Sequence, residues 1–466
     1  SGYDKQNSED YAGAIIDYSI AIKSDPNYVI AYNNRGVAYY ILGNYKSAIS
    51  DYTTVIRLDP DEACAYNNRG VAYKKLGEYN TAIANLTTAI RLDPDYAGAY
   101  YNRGLSYYGL GEYNTAIADY TTAIRLDPDY ASAYYKRGLA RLELGLYITA
   151  ITNFTTAIRL DPDYASAYYK RGLARLELGE YNTAITNFTT AIRLEPDYAS
   201  AYYNRGNTYC SLGDYNTAIS DYTTVIRLDP DAAAAYYNRG VAYNKLGDYN
   251  TAISDYTTVI RLDPDAAAAY YNRGVAYNKL GKYNTAIADY TTAIRLEPDN
   301  SAAYYNRGVA YNKLGKYNTA IADYTTAIRL EPDNSAAYYN RGVAYYDLGD
   351  YNTAISDYTT VIRLDPDATA YANRGLSYYD LGEYNTAISD YTTAIRLYPD
   401  WDFAYYKRGS AYYDLGDYNA AISDYTTAIR LDSDYADAYV NRGVAYNKLG
   451  EYNTAISDFT TVIRLD

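Results

Sequence analysis

Glycine recurs at a fixed interval of 34 residues over most of this chain. The interval holds without a slip at Gly36, Gly70, Gly104, Gly138, Gly172, Gly206, Gly240, Gly274, Gly308 and Gly342. Self-similarity at such a period indicates one small supersecondary unit copied many times, each copy being too small to bury its own apolar face. We therefore expect a solenoid in which neighbouring units stabilise one another by stacking.

Residues 301–334 serve as the type unit, and repeat positions 1 to 34 are counted along it. Apolar residues spaced by three and four predict two helices in this unit, each with one buried stripe. The first is predicted at about Ala302–Leu314 and ends at Gly315, because glycine best tolerates the left-handed conformation of a helix terminus. The second is predicted at about Tyr317–Leu330.

The connection to the next unit carries its own signals. Pro332 disfavours a helical conformation in the residue before it, and Asp333 is expected to cap the next first helix. Glycine at position 8 and alanine at positions 20 and 27 predict that the two helix backbones approach closely. One connection, within residues 365–371, is a residue shorter than the others.

These marks resemble the tetratricopeptide repeat family, whose pattern has Gly, Tyr, Ala, Ala and Pro at positions 8, 11, 20, 27 and 32, with large apolar residues at 4, 7 and 24. The resemblance covers essentially the whole chain. It implies an all-α fold, a right-handed superhelical solenoid of stacked helix-turn-helix units whose first helices line an inner groove. Residues 1–28 are expected to form a partial unit, and residues 29–466 thirteen units, the last one truncated, in a single continuous solenoid.

One departure from the family pattern is systematic. Arginine stands at position 7, where the family usually has leucine, and we expect it to pair with the aspartate that most units carry at position 23.

Composition excludes several function classes. The chain has no His and only two Cys, Cys64 and Cys210, so His-based catalysis, imidazole metal ligation and a cysteine zinc site are not expected. No phosphate-binding loop motif occurs. We therefore expect no enzyme activity, no cofactor and no metal. A net charge of −14 opposes binding to nucleic-acid phosphates, and no apolar run approaches a membrane span.

The resemblance implies that positions 2, 5, 6, 9, 12 and 13 face the groove, and two of them carry repeated side chains. Position 5 is tyrosine in eight successive units: Tyr101, Tyr135, Tyr169, Tyr203, Tyr237, Tyr271, Tyr305 and Tyr339. Position 6 is asparagine in many units, among them Asn102, Asn204, Asn238, Asn272, Asn306 and Asn340. An amide offers both a donor and an acceptor, so such a row can pair with the backbone of an extended peptide. The alternative is that each asparagine bonds its own neighbours.

Charge at position 13 changes along the chain. Lys245, Lys279 and Lys313 form a basic stretch, whereas Glu143 and Glu177 precede it and Asp347, Asp380 and Asp414 follow it. This pattern favours a partner segment that carries acidic and then basic charge, unless the residues are only solvated surface charge.

Three sequence triplets fit the acceptor pattern for N-linked glycosylation, at Asn85, Asn153 and Asn187. We expected them on the outward face with the Thr-Thr pairs at positions 25 and 26. They would carry sugar only in an extracellular protein, and the pattern also arises by chance.

The leading functional hypothesis is a non-enzymatic scaffold that binds partner proteins or an extended peptide in the groove. The alternative is a structural fibre subunit that associates head to tail through its terminal repeats and is glycosylated outside the cell. The chain shows no targeting signal, so the sequence leaves cytoplasmic and extracellular locations open.

Overall fold

The computed structural model describes residues 2–7 and 9–465, which contain 28 α-helices and no β-strand. They divide into two compact units, residues 1–235 and 236–466. The first unit contains α1 Gly2–Asn7, α2 Tyr11–Ser24, α3 Val29–Ile41, α4 Tyr45–Leu58, α5 Ala63–Lys75, α6 Tyr79–Leu92, α7 Ala97–Gly109, α8 Tyr113–Leu126, α9 Ala131–Glu143, α10 Tyr147–Leu160, α11 Ala165–Glu177, α12 Tyr181–Leu194, α13 Ala199–Ser211 and α14 Tyr215–Leu228.

The boundary between the units falls within α15, Ala233–Leu246. The second unit continues with α16 Tyr249–Leu262, α17 Ala267–Lys279, α18 Tyr283–Leu296, α19 Ser301–Lys313, α20 Tyr317–Leu330, α21 Ser335–Asp347, α22 Tyr351–Leu364, α23 Ala368–Asp380, α24 Tyr384–Leu397, α25 Asp402–Asp414, α26 Tyr418–Leu431, α27 Ala436–Lys448 and α28 Tyr452–Leu465.

Successive helices pack against one another from α1 to α14 in the first unit and from α16 to α28 in the second. This confirms the predicted all-α fold class of stacked helix-turn-helix units. The division into a partial unit at residues 1–28 and thirteen units at 29–466 stays a prediction, and Ser1, Ser8 and Asp466 lie outside the described residues.

The type unit shows how accurate the predicted boundaries are. Helix α20 coincides with its prediction, and α19 lies one residue earlier than predicted. Gly315 has a φ of 70°, the left-handed conformation expected after a first helix. The predicted cap is wrong by one residue, because Asn334 rather than Asp333 caps α21 by accepting a hydrogen bond from the backbone N–H of Ala337 at 3.0 Å.

The core of a unit forms where a small residue of the first helix meets an aromatic residue of the second. The ring of Tyr324 is fully buried, and a Cβ built on Gly308 would lie 2.8 Å from its Cε1 atom. Ala320 and Ala327 are also fully buried on the same helix as Tyr324. The small residues are therefore required by the close approach of the helices.

The arginine at position 7 joins three parts of the structure. Arg307 donates from Nε and Nη2 to the two carboxylate oxygens of Asp323, at 2.8 and 2.7 Å. Its Nη1 donates to the hydroxyl of Thr291 in the preceding repeat at 3.0 Å, and its guanidinium lies over the ring of Tyr304. The predicted pairing with position 23 is confirmed, and the hydrogen bond to Thr291 joins the repeat to the preceding one.

No helix in the described part of the chain is both long enough and apolar enough to cross a lipid bilayer.

Candidate functional site

The residues at positions 5 and 6 of the first helices form what we call the tyrosine–asparagine row. Tyr305 on α19 is half-buried, and its ring packs on that of Tyr324 with 6.0 Å between centroids. Tyr237, Tyr271 and Tyr339 are also half-buried and pack in the same way on the position 24 ring of their own repeats. One face of each of these position 5 rings is therefore packed against a ring of the second helix in the same repeat.

The two halves of the row are joined to each other. In four of these repeats, the side-chain amide of the asparagine donates to the hydroxyl of the position 5 tyrosine in the preceding repeat. The Nδ2-to-Oη distances are 2.8 Å for Asn272 to Tyr237, 2.9 Å for Asn306 to Tyr271, 3.0 Å for Asn340 to Tyr305 and 3.0 Å for Asn204 to Tyr169. From the sequence, the rings and the amides were predicted as two parallel rows, and the bond between them was not, although both recur with the same period.

These bonds determine what the row can offer to a ligand. The Nδ2 group of Asn306 also donates to the backbone carbonyl of Ala302 at 3.0 Å, so both of its hydrogens are used. Its Oδ1 atom has no hydrogen-bond partner among the described residues and remains an acceptor. Burial raises the pKa of Tyr271, and the bond from Asn306 lowers it, so the hydroxyl is protonated at neutral pH and can still donate.

The first unit contains a variant of the row in which the hydrogen bonds run differently. Asn102 donates to Oδ1 of Asn67 at 3.1 Å and accepts from Nζ of Lys74 at 3.3 Å. Burial, together with the positive charges of Lys75 and Lys136, lowers the pKa of Lys74 to about 8. This part of the row is therefore locally basic within an acidic chain.

Lysine replaces asparagine at position 6 in two neighbouring repeats of the first unit. The ammonium groups of Lys136 and Lys170 lie 5.5 and 5.4 Å from the ring centroids of Tyr135 and Tyr169. Tyr135 is the most covered of the predicted row and is 8% exposed. The predicted row is thus uneven, with covered rings here and more open ones in the second unit.

Charge at position 13 is only partly available to a partner. Lys245, Lys279 and Lys313 are exposed, and none of them forms an ion pair with another described residue. By contrast, Asp380 and Asp414 accept hydrogen bonds from the hydroxyls of Tyr346 and Tyr379 in the preceding repeats. Glu143 accepts one from Tyr108 at 3.2 Å in the same manner. The lysines, together with Asp347 and Glu177, which are also exposed, are therefore the open charges at this position.

The three predicted glycosylation acceptors do not lie on the outward face. Asn85, Asn153 and Asn187 occupy position 23, where most repeats have aspartate, and are 8%, 2% and 2% exposed. The Oδ1 atom of Asn153 accepts from Nε of Arg137 at 2.8 Å, and its Nδ2 donates to the carbonyl of Thr149 at 2.6 Å. Because a sugar would have to replace this second bond, the burial counts against modification, which stays a prediction of the triplets alone.

The described residues hold no group of three or more Cys, Asp or Glu side chains that could bind a metal ion. The two cysteines, Cys64 and Cys210, are both free thiols.

Comparison with known proteins finds matches to two family models, described as "TPR repeat" and "Tetratricopeptide repeat". The first matches residues 38–77, 72–111, 104–145, 141–179, 172–210, 206–247, 242–281, 276–315, 310–349, 375–416 and 409–450, and the second matches residues 335–367 and 436–466. No curated protein sequence matches the chain significantly.

Several solved structures are similar in fold. A crystal structure of MamA is 29% identical, with a TM-score of 0.34, over 34% of this chain and 94% of that one. YrrB, described as a TPR protein with an unusual peptide-binding site, is 24% identical with a TM-score of 0.36, over 39% and 94%. A tetratricopeptide repeat protein from Parabacteroides merdae is 21% identical with a TM-score of 0.41, over 53% and 98%.

Proposed function

Because the chain belongs to the tetratricopeptide repeat family, we propose that it is a non-enzymatic scaffold that binds an extended segment of a partner protein along its first helices. The observation that carries the proposal is the repeated pair of polar atoms in the tyrosine–asparagine row. Each repeat from Tyr271 to Asn340 presents one hydroxyl hydrogen and one amide oxygen that are not used within the described structure.

An extended peptide backbone displays one N–H donor and one C=O acceptor for every residue. The row matches this chemistry, since Oδ1 of Asn306 can accept from a peptide N–H and the hydroxyl of Tyr271 can donate to a peptide carbonyl. The hydrogen bonds between repeats hold both groups in place before a ligand arrives, which reduces the entropy lost on binding. Recognition of the backbone leaves the partner's side chains to be selected by the surrounding surface.

Peptide display tests the proposal. Random linear peptides are selected on the full chain, and the dissociation constants of the recovered peptides are measured by fluorescence anisotropy. Changing Asn272, Asn306 and Asn340 together to Ala removes three acceptors at about 1 kcal/mol each, so affinity should fall by about 100-fold.

The control changes Thr258, Thr292 and Thr326 to Ala on the second helices, and it should leave affinity unchanged. Circular dichroism shows whether each variant remains helical. If the asparagine variant is folded and binds as tightly as the native chain, the row is not the binding surface.

The fibre alternative stays a prediction with no observation of its own. Helix α28 exposes Tyr452, Ile456 and Ile463, but the last helix of any repeat array exposes the face that a further unit would cover.

A further inference from the structure

Repeat position 34 determines whether the tyrosine at position 5 has an open face. In three repeats of the first unit and one of the second, position 34 is tyrosine, and its ring lies on the position 5 ring. The pairs and their centroid distances are Tyr101 with Tyr130 at 4.8 Å, Tyr135 with Tyr164 at 4.7 Å, Tyr169 with Tyr198 at 4.9 Å and Tyr406 with Tyr435 at 5.0 Å. In each of these four repeats, the position 34 ring covers one face of the position 5 tyrosine.

Four consecutive repeats of the second unit lack this covering ring. Position 34 is Ala266 beside Tyr237, Asn300 beside Tyr271 and Asn334 beside Tyr305. The short connection places Asp367 in the corresponding position beside Tyr339. In residues 236–465 no other ring stacks on these four tyrosines from above, so each repeat has an aromatic notch.

The side chains at position 34 leave the notches uncovered, and one notch holds a cavity. The asparagines turn away from them: Asn300 accepts from the backbone N–H of Ala303 at 3.0 Å and so caps its own helix. A cavity of about 470 Å³ lies beside Tyr339 and is lined by Ala336, Val361 and Asp367 among others. Such a cavity has ample room for a proline ring or a small apolar side chain.

Three of the four notches coincide with the basic stretch at position 13, whereas the fourth, at Tyr339, shares its helix with Asp347. Tyr237, Tyr271 and Tyr305 share their helices with Lys245, Lys279 and Lys313. Position 13 is seven residues after the asparagine at position 6 and therefore lies on the same helix face, about 10 Å further along the axis. The acidic residues at position 33, such as Asp299 and Asp333, lie at the opposite end of the helices. The open rings are thus bordered by a basic edge and an acidic edge.

The spacing of the notches fits one backbone conformation. Helix α17 contacts α19, and α19 contacts α21. Axes of helices in contact typically lie about 9 Å apart. A polyproline II helix has three residues per turn and advances about 9 Å per turn, so every third side chain points the same way at the interval of the notches. The other two rows of side chains then face the two edges.

From these relationships we propose that residues 236–367 bind an acidic, proline-containing segment in the polyproline II conformation. Prolines at every third position stack in the notches, and acidic side chains point to Lys245, Lys279 and Lys313. The residues between prolines retain the N–H groups that the asparagine oxygens accept. This inference rests on the proposed peptide-binding function and specifies the ligand.

The test uses the full chain and a labelled peptide of five Pro-Ser-Glu triplets, with matched peptides in which every Pro is Ala or every Glu is Lys. We expect binding of the first peptide by fluorescence anisotropy and at least about tenfold weaker binding of each of the others. Affinity for the acidic peptide should also fall as salt is raised.

Protein variants locate the site. Changing Ala266, Asn300 and Asn334 together to Tyr restores the ring that other repeats carry and should abolish the preference for proline. The control adds three tyrosines at Asn250, Asn284 and Asn318 on the second helices and should bind as the native chain does.

If displayed peptides bind the tyrosine–asparagine row but native protein shows no preference for proline or acid, the ligand assignment is overturned and the general function stands. If no peptide of any sequence binds the row, both proposals fail. If the variant with tyrosine at position 34 does not fold, the comparison of the matched peptides on native protein still tests the preference for proline and for acidic residues.

Discussion

The carboxylate of Asp323 accepts two hydrogen bonds from the guanidinium of Arg307, and in three other repeats asparagine takes the place of this aspartate. The arginines of the two kinds of repeat differ in the direction in which their pKa is shifted. Hydrogen bonding to Asp323 raises the pKa of Arg307, whereas burial lowers the pKa of Arg137, which faces Asn153. Arg137 is therefore a partly buried cation without a carboxylate at position 23.

Exchanging these residues should change stability in opposite directions. We expect Asn153→Asp to raise the free energy of unfolding by about 1 kcal/mol, because it supplies a charge-assisted bond to Arg137. Asp323→Asn should lower it by a similar amount. Urea denaturation followed by circular dichroism measures both, and equal midpoints for Asn153→Asp and native protein would contradict the prediction.

Gly308→Ala should destabilise the protein although alanine is the better helix former. The added Cβ would lie 2.8 Å from a ring carbon of Tyr324, and overpacking of this kind costs about 1–3 kcal/mol. Ala302→Ser, at an exposed position of the same helix, is the control. Hydrogen exchange of α19 and α20 locates the effect, since stability in a repeat array is local. Unchanged exchange would show that the helices separate without cost.

Removing a tyrosine hydroxyl should have opposite effects at two neighbouring positions. The hydroxyl of Tyr290 is buried and has no hydrogen-bond partner, so Tyr290→Phe should be neutral or stabilise the chain by up to about 1 kcal/mol. Tyr271→Phe removes the acceptor of Asn306 and should destabilise it by about 1 kcal/mol. Thermal melting of the two variants in parallel tests the contrast, and it fails if both move the midpoint in the same direction.

Lys74 should make stability depend on alkaline pH. Burial lowers its pKa to about 8 in the folded chain, below its ordinary value of 10.5. Between these values the unfolded chain binds more protons, so this residue makes stability rise with pH from about 8 to 10.5. Below pH 8 both states are protonated, and the full cost of burying the charge remains.

The variant Lys74→Gln keeps a donor for Asn102 and removes the charge. It should melt at a higher temperature than native protein below pH 8, and the difference should shrink towards pH 10.5. Lys46→Gln, which removes an exposed charge that does not act on Lys74, is the control. A difference in melting temperature that is independent of pH would assign the effect to packing instead.

The sequence determined the helix boundaries of the type unit to within a residue, because they depend on local signals such as Gly315 and Pro332. It also predicted the pairing of Arg307 with Asp323, since a repeated arginine and a repeated aspartate must meet in every copy of a unit. The solenoid followed from the 34-residue period, as one unit that cannot bury its apolar face must stack on its neighbours, and the helices followed from the apolar spacing within the unit.

Only the tertiary structure decided how the groups on that surface are used. It showed that Asn306 bonds Tyr271 of the preceding repeat, that Asn153 is buried against Arg137, and that Tyr130 covers Tyr101 while Tyr271 has an open face. These relationships join residues of different helices or different repeats. Their geometry depends on how helices pack across a distance that no local sequence pattern encodes.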